Sequence, residues 1–363
     1  GAIGADELDE RLSGGAQVLD VAMDIAREVI QAASNARPLG KIHLAITRST
    51  SMDCRTRRLD SEASVILIPI GVLARIRALA RRFLLQVGQD QPDTLVAGSA
   101  IDVRDHPWEL APGLRPVFGE DVEDYWEALD GFNRRTPDEE ENEGFADLAV
   151  LHGFHYLALH ELGHIFGLHD RLLELARAHD PRIPQHLTLR ALRRGMEEGA
   201  DVFAAHNFAP SLIHHPSTAR SADDPDLFFP MISFVVTMVF GMYDVHRKTV
   251  YDYAEGFYPH PLIRYEFWDE ATTTGLRQRW TGPIDEAAEY RRAGWQFCMD
   301  CFHRLEWECF SGEFGSPEDG DTGRYVPVTA LKYGGAAALV PLMRADNQLW
   351  LEVESIAERL AGS

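Results

Sequence analysis

The sequence predicts an α+β protein that is mostly helical, with a small sheet packed at one side of the helices. Two segments are apolar and β-branched enough to form strands, Lys41 to Thr47 and Ala63 to Val72. Helical spacing of apolar residues covers 6–33 and then dominates from Phe145 to about Phe310. Two strands before a long helical region fit an α+β plan with a small sheet at one side.

Charge and composition predict the segments between these elements. The arginine-rich segment 55–58 indicates a solvated loop, and the acidic tract Thr136–Gly144 indicates an exposed loop. Residues 87–120 are rich in proline and glycine and are predicted to be irregular. A basic amphipathic helix is predicted over Leu73–Gln86. Its arginines are expected on the polar, exposed side: Arg75, Arg77, Arg81 and Arg82.

The predicted domain organisation has three parts. Residues 1–310 form the main domain, and the candidate site described below falls within about 145–265. A glycine- and acid-rich linker is predicted over 311–323. It leads to a small C-terminal segment, 324–363, for which the sequence indicates no role.

Composition excludes some classes of partner. The 363 residues carry a formal net charge of -22, which repels nucleic-acid phosphates, so no nucleic-acid partner is expected. Four cysteines do not make a disulfide framework, and the small, acidic first residues do not resemble a signal peptide. We therefore expect a cytoplasmic protein. The uncharged run Leu227 to Tyr243 contains Pro230 and predicts a buried core helix, not a membrane span. The oligomeric state stays open.

One motif carries metal chemistry. The segment His160 to His164 reads HELGH, the HExxH pattern, inside an apolar helical stretch. Residues four apart lie only about 40° apart around a helix, so His160 and His164 can face one ion. Two neutral imidazoles, one further ligand and an open position suit Zn²⁺. Glu161 lies beside that face, where it can act as general base toward a water activated by the metal.

Two residues compete for the position of third ligand. His169 completes the longer pattern HExxHxxGxxH and would reach the metal if the helix broke at Gly167. If the helix continued, His169 would lie about 180° away from His160. The helical spacing after Gly167 favours continuation. The alternative is Glu197, which shares a helix face with Asp201 four residues later. Asp201 would then accept a hydrogen bond from a ligand imidazole and fix its tautomer.

The second arrangement resembles the gluzincin peptidases, which combine an HExxH helix with a later ExxAD helix. Among the gluzincins, the sequence around these residues most resembles the Lit-type (phage-exclusion) and Ste24-like peptidases. The resemblance covers about 145–265 and implies a zincin-like core, with the small sheet packed beside the HExxH helix. The segment YPHPLIRYEF also resembles a later element of those families, which implies that His260 or Arg264 touches the substrate carbonyl or oxyanion. The pattern around His169 resembles the metzincins instead.

These observations predict a zinc-dependent metallopeptidase that hydrolyses peptide bonds of a protein or peptide. In this hypothesis Glu161 takes a proton from the attacking water and later gives it to the leaving amine. Two alternatives stay open. One is a non-catalytic, zinc-stabilised binding or regulatory module, which would need no carboxylate at Glu161. The other is a metzincin-type peptidase with His169 as third ligand. The sequence identifies neither the substrate nor any latency.

Overall fold

The computed structural model describes seven stretches of the chain: residues 16–37, 39–60, 62–87, 139–219, 223–243, 258–310 and 336–362. The predicted irregular segment 87–120 and the predicted linker 311–323 lie outside these stretches, apart from residue 87, which ends a helix.

The described residues form nine helices and one small three-stranded sheet. The strands are β1 (Lys41–Thr47), β2 (Arg55–Arg58) and β3 (Ala63–Pro69). The helices are α1 (Ala16–Ala36), α2 (Ile70–Val87), α3 (Glu139–Phe166), α4 (His169–Arg177), α5 (Leu189–His214), α6 (Pro225–Met242), α7 (Pro261–Arg279), α8 (Ile284–Phe310) and α9 (Ala336–Ala361). The predicted α+β class, mostly helical with a small sheet, is confirmed.

The sheet is mixed, in the order β1-β3-β2. β3 pairs with β1 in parallel and with β2 antiparallel. The prediction of a solvated loop over the arginine-rich segment was wrong, because that segment forms the edge strand β2. Its backbone pairs with the apolar strand β3, while its arginine side chains stay exposed at the edge. An edge strand tolerates charged residues that a central strand would not.

The arginines of α2 are also placed differently from the prediction. Arg75, Arg77 and Arg81 are buried, with at most 6% of their surface exposed. A buried arginine requires a partner, and Arg77 lies 3.0 Å from the carboxylate of Asp147 on α3. The helix therefore packs on both sides, whereas charge alone predicted a solvated face.

The HExxH motif lies on α3, which begins earlier than predicted. The acidic tract was expected to be a loop through Gly144, but the helix already begins at Glu139. Glutamates are good helix formers and are favoured at a helix N-terminus by the macrodipole. The sheet packs beside this helix, since the Thr56 hydroxyl on β2 donates to the Glu161 carbonyl at 3.0 Å.

The most apolar helix, α6, belongs to the core. Its length and mean hydropathy of 1.6 would allow a membrane span, yet 78% of it is buried inside the protein. It packs between α8 and α3, as the phenylalanine contacts Phe234–Phe297 and Phe145–Phe234 show. Among the described helices it alone has a span's length and hydropathy. Burial of this kind is typical of the core helix predicted here.

The C-terminal helix α9 packs against α5. Val353, Ile356 and Leu360 of α9 join Leu192 and Met196 of α5 in a second apolar cluster, apart from the main core. A buried ion pair adds to this contact, because the Arg194 guanidinium binds both oxygens of Asp346 at 2.6 and 2.7 Å. The end of the chain is thus joined to the helix that carries Glu197.

Candidate metal centre

Two imidazoles on α3 face one point in the protein. His160 and His164 lie on adjacent turns of an uninterrupted helix, as the motif predicted. Their Nε2 atoms are 3.2 Å apart. His160 is 8% exposed and His164 is partly buried, so the point they face is partly shielded from water.

The third group of the cluster comes from α5. Glu197 Oε2 lies 3.3 Å from His160 Nε2 and 3.7 Å from His164 Nε2. The two helices approach closely at Gly163, where an added Cβ would lie 2.8 Å from the Ala200 Cα. Glycine at this position lets the backbones come together, and that approach brings Glu197 to the two imidazoles.

The three ligand atoms suit a zinc ion. They all lie within 4.8 Å of one another, and among the described residues they form the one His/Cys/Asp/Glu group with this geometry. Ligand distances of 2.0–2.1 Å in a tetrahedral Zn²⁺ site imply atoms about 3.3 Å apart. The observed separations of 3.2, 3.3 and 3.7 Å are close to that value. Two nitrogens and one carboxylate oxygen leave a fourth position for water or substrate.

Charge in the cluster favours a bound cation. Burial alone would lower the pKa of His160, but Asp201 and Glu197 outweigh it and raise that pKa to about 10. Burial would likewise raise the pKa of Glu197, and the two neighbouring imidazoles instead hold it well below its usual range. Positive charge is thus stabilised between these side chains, as it is where a divalent cation binds.

A second layer of contacts holds the His160 ring. Asp201 is 1% exposed, and its Oδ1 lies 2.8 Å from His160 Nδ1. The Tyr156 hydroxyl donates to the same oxygen at 3.0 Å. Arg264 donates to both carboxylate oxygens, at 2.7 and 2.9 Å. Burial raises the pKa of Asp201, but Arg264 and His160 together lower it to about 2, so the carboxylate stays charged.

Glu161 lies beside the cluster and contacts the sheet. It is 5% exposed, and its Oε2 accepts a hydrogen bond of 2.8 Å from Thr56 on β2. The Thr56 hydroxyl also contacts the backbone carbonyl of Glu161. Both contacts fix the carboxylate relative to the helix that carries the histidines. No sequence pattern assigns Thr56 to the site, because Thr56 comes more than a hundred residues before Glu161.

The helix break at Gly167 does occur, but it does not bring His169 to the cluster. The prediction of a continuous helix was wrong, since α3 ends at Phe166 and Leu168 adopts a left-handed conformation with φ of 56°. His169 then begins α4, and its Nδ1 lies 2.6 Å from Nδ1 of His164. That is the nitrogen of His164 directed away from the cluster. A helix break at Gly167 is therefore not enough to bring His169 to the cluster.

The structure places His260 and Arg264 in buried contacts within the protein. His260 precedes α7 and its Nδ1 accepts the backbone N–H of Leu262 at 3.2 Å, the usual contact of a helix N-cap. Arg264 is committed to Asp201, and its guanidinium stacks 4.4 Å above the ring of Phe240. Their predicted contacts with a substrate carbonyl stay predictions. The observed contacts support a positioning role for Arg264.

Tyr258 belongs to the site although the sequence did not single it out. Its ring lies over the Arg264 guanidinium at 5.6 Å, and 43% of the residue is exposed. Glu197, burial and Glu161 raise the pKa of its hydroxyl above its usual value. A tyrosine near both carboxylates keeps its proton at neutral pH. The available signal in the sequence was its position two residues before His260, a residue that the sequence analysis had assigned to the site.

No protein-family profile, curated protein or solved structure matches the chain.

Proposed function

We propose that this protein is a zinc-dependent metallopeptidase that hydrolyses peptide bonds of a protein or peptide. One observation carries the proposal: His160, His164 and Glu197 direct three ligand atoms at one point, with the carboxylate of Glu161 beside them. When bound there, zinc supplies a Lewis acid that acidifies water and polarises a carbonyl. A site with only a structural role would not need the carboxylate of Glu161.

Glu161 acts as the general base. Its carboxylate takes a proton from the attacking water and then gives it to the nitrogen of the leaving amine. The Thr56 hydroxyl holds one carboxylate oxygen, which leaves the other to receive the proton. Because Thr56 belongs to β2, the sheet edge fixes the position of the base.

Asp201 and Arg264 position the His160 ring. The ring donates its Nδ1–H to the charged carboxylate, so the lone pair stays on Nε2, which faces the cluster. Arg264 keeps that carboxylate charged and in place by two hydrogen bonds. A carboxylate–histidine pair of this kind raises the basicity of the ligand nitrogen.

Tyr258 donates a hydrogen bond to the carbonyl oxygen of the substrate. Glu197 and Glu161 both raise the pKa of its hydroxyl, which therefore stays protonated at neutral pH, and 43% of the residue is exposed. It can donate a hydrogen bond where negative charge develops on that oxygen. We assign this role to Tyr258 and a positioning role to Arg264.

The ligand set supports a gluzincin-type site with a zincin-like core. Its supporting features are the HExxH helix, the glutamate ligand on a second helix and the small sheet beside the first helix. The metzincin alternative requires His169 to replace Glu197. In the structure the His169 ring contacts the far side of His164 instead.

The first experiment is zinc content per chain, by elemental analysis, on the wild type, Glu197→Ala and His169→Ala, with circular dichroism to check the fold. We expect zinc in the wild type and its loss in Glu197→Ala. The metzincin alternative holds if only His169→Ala loses the metal. A wild type that takes up no zinc would contradict the proposal.

The second experiment separates an enzyme from a non-catalytic zinc module. Wild type, Glu161→Gln and the exposed control Glu174→Gln are each incubated with a complex peptide mixture, and new termini are identified by mass spectrometry. We expect Glu161→Gln to keep its zinc and lose cleavage, while Glu174→Gln keeps both. Equal cleavage by Glu161→Gln would rule out its role as the base.

A further inference from the structure

A cavity lies between α1, α5 and α9, beyond the end of α3. Its volume is about 840 Å³, within the range of about 300–1,000 Å³ that small-molecule sites occupy. Its walls are mainly apolar. The main apolar contacts come from Ile25, Val29, Phe166, Val202, Phe203 and Trp350.

This cavity is distinct from the candidate metal centre. The residues of that centre, His160, Glu161, His164 and Glu197, do not line it. His169 lies between the two sites, because it lines the cavity and also contacts His164. The cavity is therefore a separate space that reaches the metal ligands only through one imidazole.

The His169 ring directs one nitrogen into this cavity. The residue is 7% exposed, and its Nδ1 is used by the contact with His164. Its Nε2 lies at the glycines of the wall, since an added Cβ would be 2.4 Å from it at Gly167 and 3.8 Å from it at Gly199. Within the described stretches, no protein group hydrogen-bonds to this Nε2. The His169 side chain is thus mostly buried, yet it directs an unpartnered nitrogen into the cavity, where that nitrogen can bond to a ligand or water.

The tautomer of His169 makes that nitrogen a donor. This step rests on the proposed metal site, in which the Nε2 lone pair of His164 faces the cluster and its Nδ1 carries the proton. His164 then donates to His169 Nδ1, and the His169 proton must be on Nε2. A neutral imidazole has a single N–H, so a ring that accepts at Nδ1 donates from Nε2.

The charges at the rim favour an uncharged ligand. Three carboxylates line the cavity, those of Glu28, Glu354 and Glu358, against two guanidinium groups. Both guanidinium groups already have partners, because Arg37 donates to the Phe166 carbonyl and Arg279 donates to Asn207. The carboxylates of the cavity would thus repel a ligand carboxylate, because they outnumber the guanidinium groups. A neutral carbonyl carries no net charge and would not be repelled in this way.

We propose that this cavity binds an apolar, uncharged small molecule with one carbonyl oxygen, which accepts a hydrogen bond from His169 Nε2. The apolar body of the ligand packs against Trp350 and the valine and phenylalanine side chains of the walls. The carbonyl selects the orientation, as a few polar groups do in apolar sites generally. A ligand in the cavity would contact the His169 ring, and that ring in turn contacts His164.

The test compares two probes of the same shape, benzophenone and diphenylmethane, which differ in that a carbonyl replaces a methylene. Their dissociation constants are measured by equilibrium dialysis on the zinc-loaded full chain. Because a neutral hydrogen bond contributes modestly, we expect benzophenone to bind the wild type about threefold to tenfold more tightly. In His169→Phe, which keeps a ring and removes the donor, we expect the two constants to become equal.

A blocking variant and its control locate the binding. Ala32 is exposed on α1 and lines the cavity, so Ala32→Trp places an indole at its mouth. Gln31 is exposed on the same helix and does not line the cavity. We expect Ala32→Trp to lose both probes and Gln31→Trp to bind them as the wild type does.

The outcomes separate this inference from the proposed function. Failure of both probes to bind the zinc-loaded wild type overturns the inference and leaves the peptidase proposal intact. Equal binding of the two probes, or a ketone preference that persists in His169→Phe, overturns the assigned donor. A wild type that binds the ketone through His169 but takes up no zinc supports the cavity site and contradicts the peptidase proposal.

Discussion

Asp201 is a buried carboxylate on which three side chains converge: Tyr156, His160 and Arg264. The neighbours come from two helices, since Tyr156 and His160 lie on α3 and Arg264 lies on α7. Two of the three neighbours are cationic or become so on protonation, and they keep the carboxylate charged at 1% exposure. A charge this deeply buried is stable only with such partners.

The first prediction follows from that convergence. Asp201→Asn keeps the shape and removes the charge that holds the His160 ring, so the affinity for zinc should fall about 10- to 100-fold. Competition with a chelator of known affinity measures the change. Asp180→Asn, at an acid that pairs with Arg182 at the surface, is the matched control and should bind zinc like the wild type. Unchanged affinity in Asp201→Asn would contradict the assigned role.

The second prediction concerns Glu198, whose carboxylate oxygens are buried without a hydrogen-bond partner in the described structure. Burial, and next Asp346, raise its pKa from 4.5 to about 9. A raised pKa means that the folded protein holds a proton which the unfolded chain releases above pH 4.5, so stability falls between that pH and about 9. Glu198→Gln should therefore raise the free energy of unfolding by ~1–3 kcal/mol at pH 8.

Urea denaturation at pH 8 and at pH 4.5 measures this effect, and the gain should shrink at the lower pH. The exposed Glu174→Gln should show no gain at either pH. A gain in Glu198→Gln that is equal at both pH values would mean that the carboxylate is charged in the folded protein.

Sequence alone predicted the residues of the site that lie on regular helical spacing. His160, Glu161 and His164 follow one motif, and Glu197 with Asp201 follow a second. Thr56 and Tyr258 were missed, since neither belongs to the HExxH motif or to the motif of Glu197 and Asp201. Their proximity results from how β2 and the segment before α7 pack, which no local pattern encodes.

At the scale of elements, α5 carries both the proposed ligand Glu197 and Asp201, the carboxylate that holds the His160 ring, and the start of this helix is well defined. Thr188 precedes the helix, and its hydroxyl accepts the Ala191 backbone N–H at 3.1 Å. Such a cap satisfies one of the donors that a helix N-terminus leaves unpaired. The cap lies more than two turns before Glu197.

The third prediction tests this cap. Thr188→Ala should lower the free energy of unfolding by about 1 kcal/mol, because it leaves that N–H without its acceptor. Thr188→Ser keeps the hydroxyl and should change stability little. Guanidinium denaturation measures both variants. Equal loss in the two would show that the hydroxyl does not stabilise the helix.

The boundary between α3 and α4 shows where local patterns fail. Spacing of apolar residues predicted one helix, but Leu168 takes a left-handed conformation that costs a residue with a Cβ about 1–2 kcal/mol. Its side chain packs against the second apolar cluster, which helps to hold that conformation. The sequence favours helix on both sides of the break, and only tertiary packing determines it.

At the scale of the whole molecule, the C-terminal helix supports the helix that holds Glu197. Gly195 on α5 faces α9 so closely that an added Cβ would lie 2.7 Å from a Val353 methyl group. The Arg194–Asp346 pair is buried beside this contact, with side chains 6% and 5% exposed. The sequence predicted only a small C-terminal segment of unknown role at 324–363, and no pattern in it indicated a partner for Arg194.

The fourth prediction removes that pair. Asp346→Ala should lower the free energy of unfolding by about 3–5 kcal/mol, because it takes a carboxylate away from a buried guanidinium. The exposed Glu358→Ala, on the same helix, should stay within about 0.5 kcal/mol of the wild type. Urea denaturation of both variants measures the difference. A loss below about 1 kcal/mol in Asp346→Ala would show that the ion pair contributes little to the stability of the fold.

The fifth prediction concerns metal removal. The proposed zinc ion would join α3 to α5 and bind only the folded chain, so it should stabilise the protein by about 4 kcal/mol at a thousandfold excess over its Kd. For a chain of this size, we expect the Tm of metal-stripped protein to rise by on the order of 10 °C when zinc is restored. Glu197→Ala should show little rise. An equal rise in that variant would place the stabilising ion elsewhere.

The arginine-rich edge strand has a consequence for the behaviour of many copies in solution. An edge strand offers backbone groups that can pair with a neighbouring chain and start aggregation. β2 is only four residues long, and it exposes Arg55, Arg57 and Arg58. Two copies meeting strand to strand would bring the same arginines face to face, and their mutual repulsion opposes a growing stack of sheets. The strand that fixes Glu161 through Thr56 is thus also protected against self-assembly.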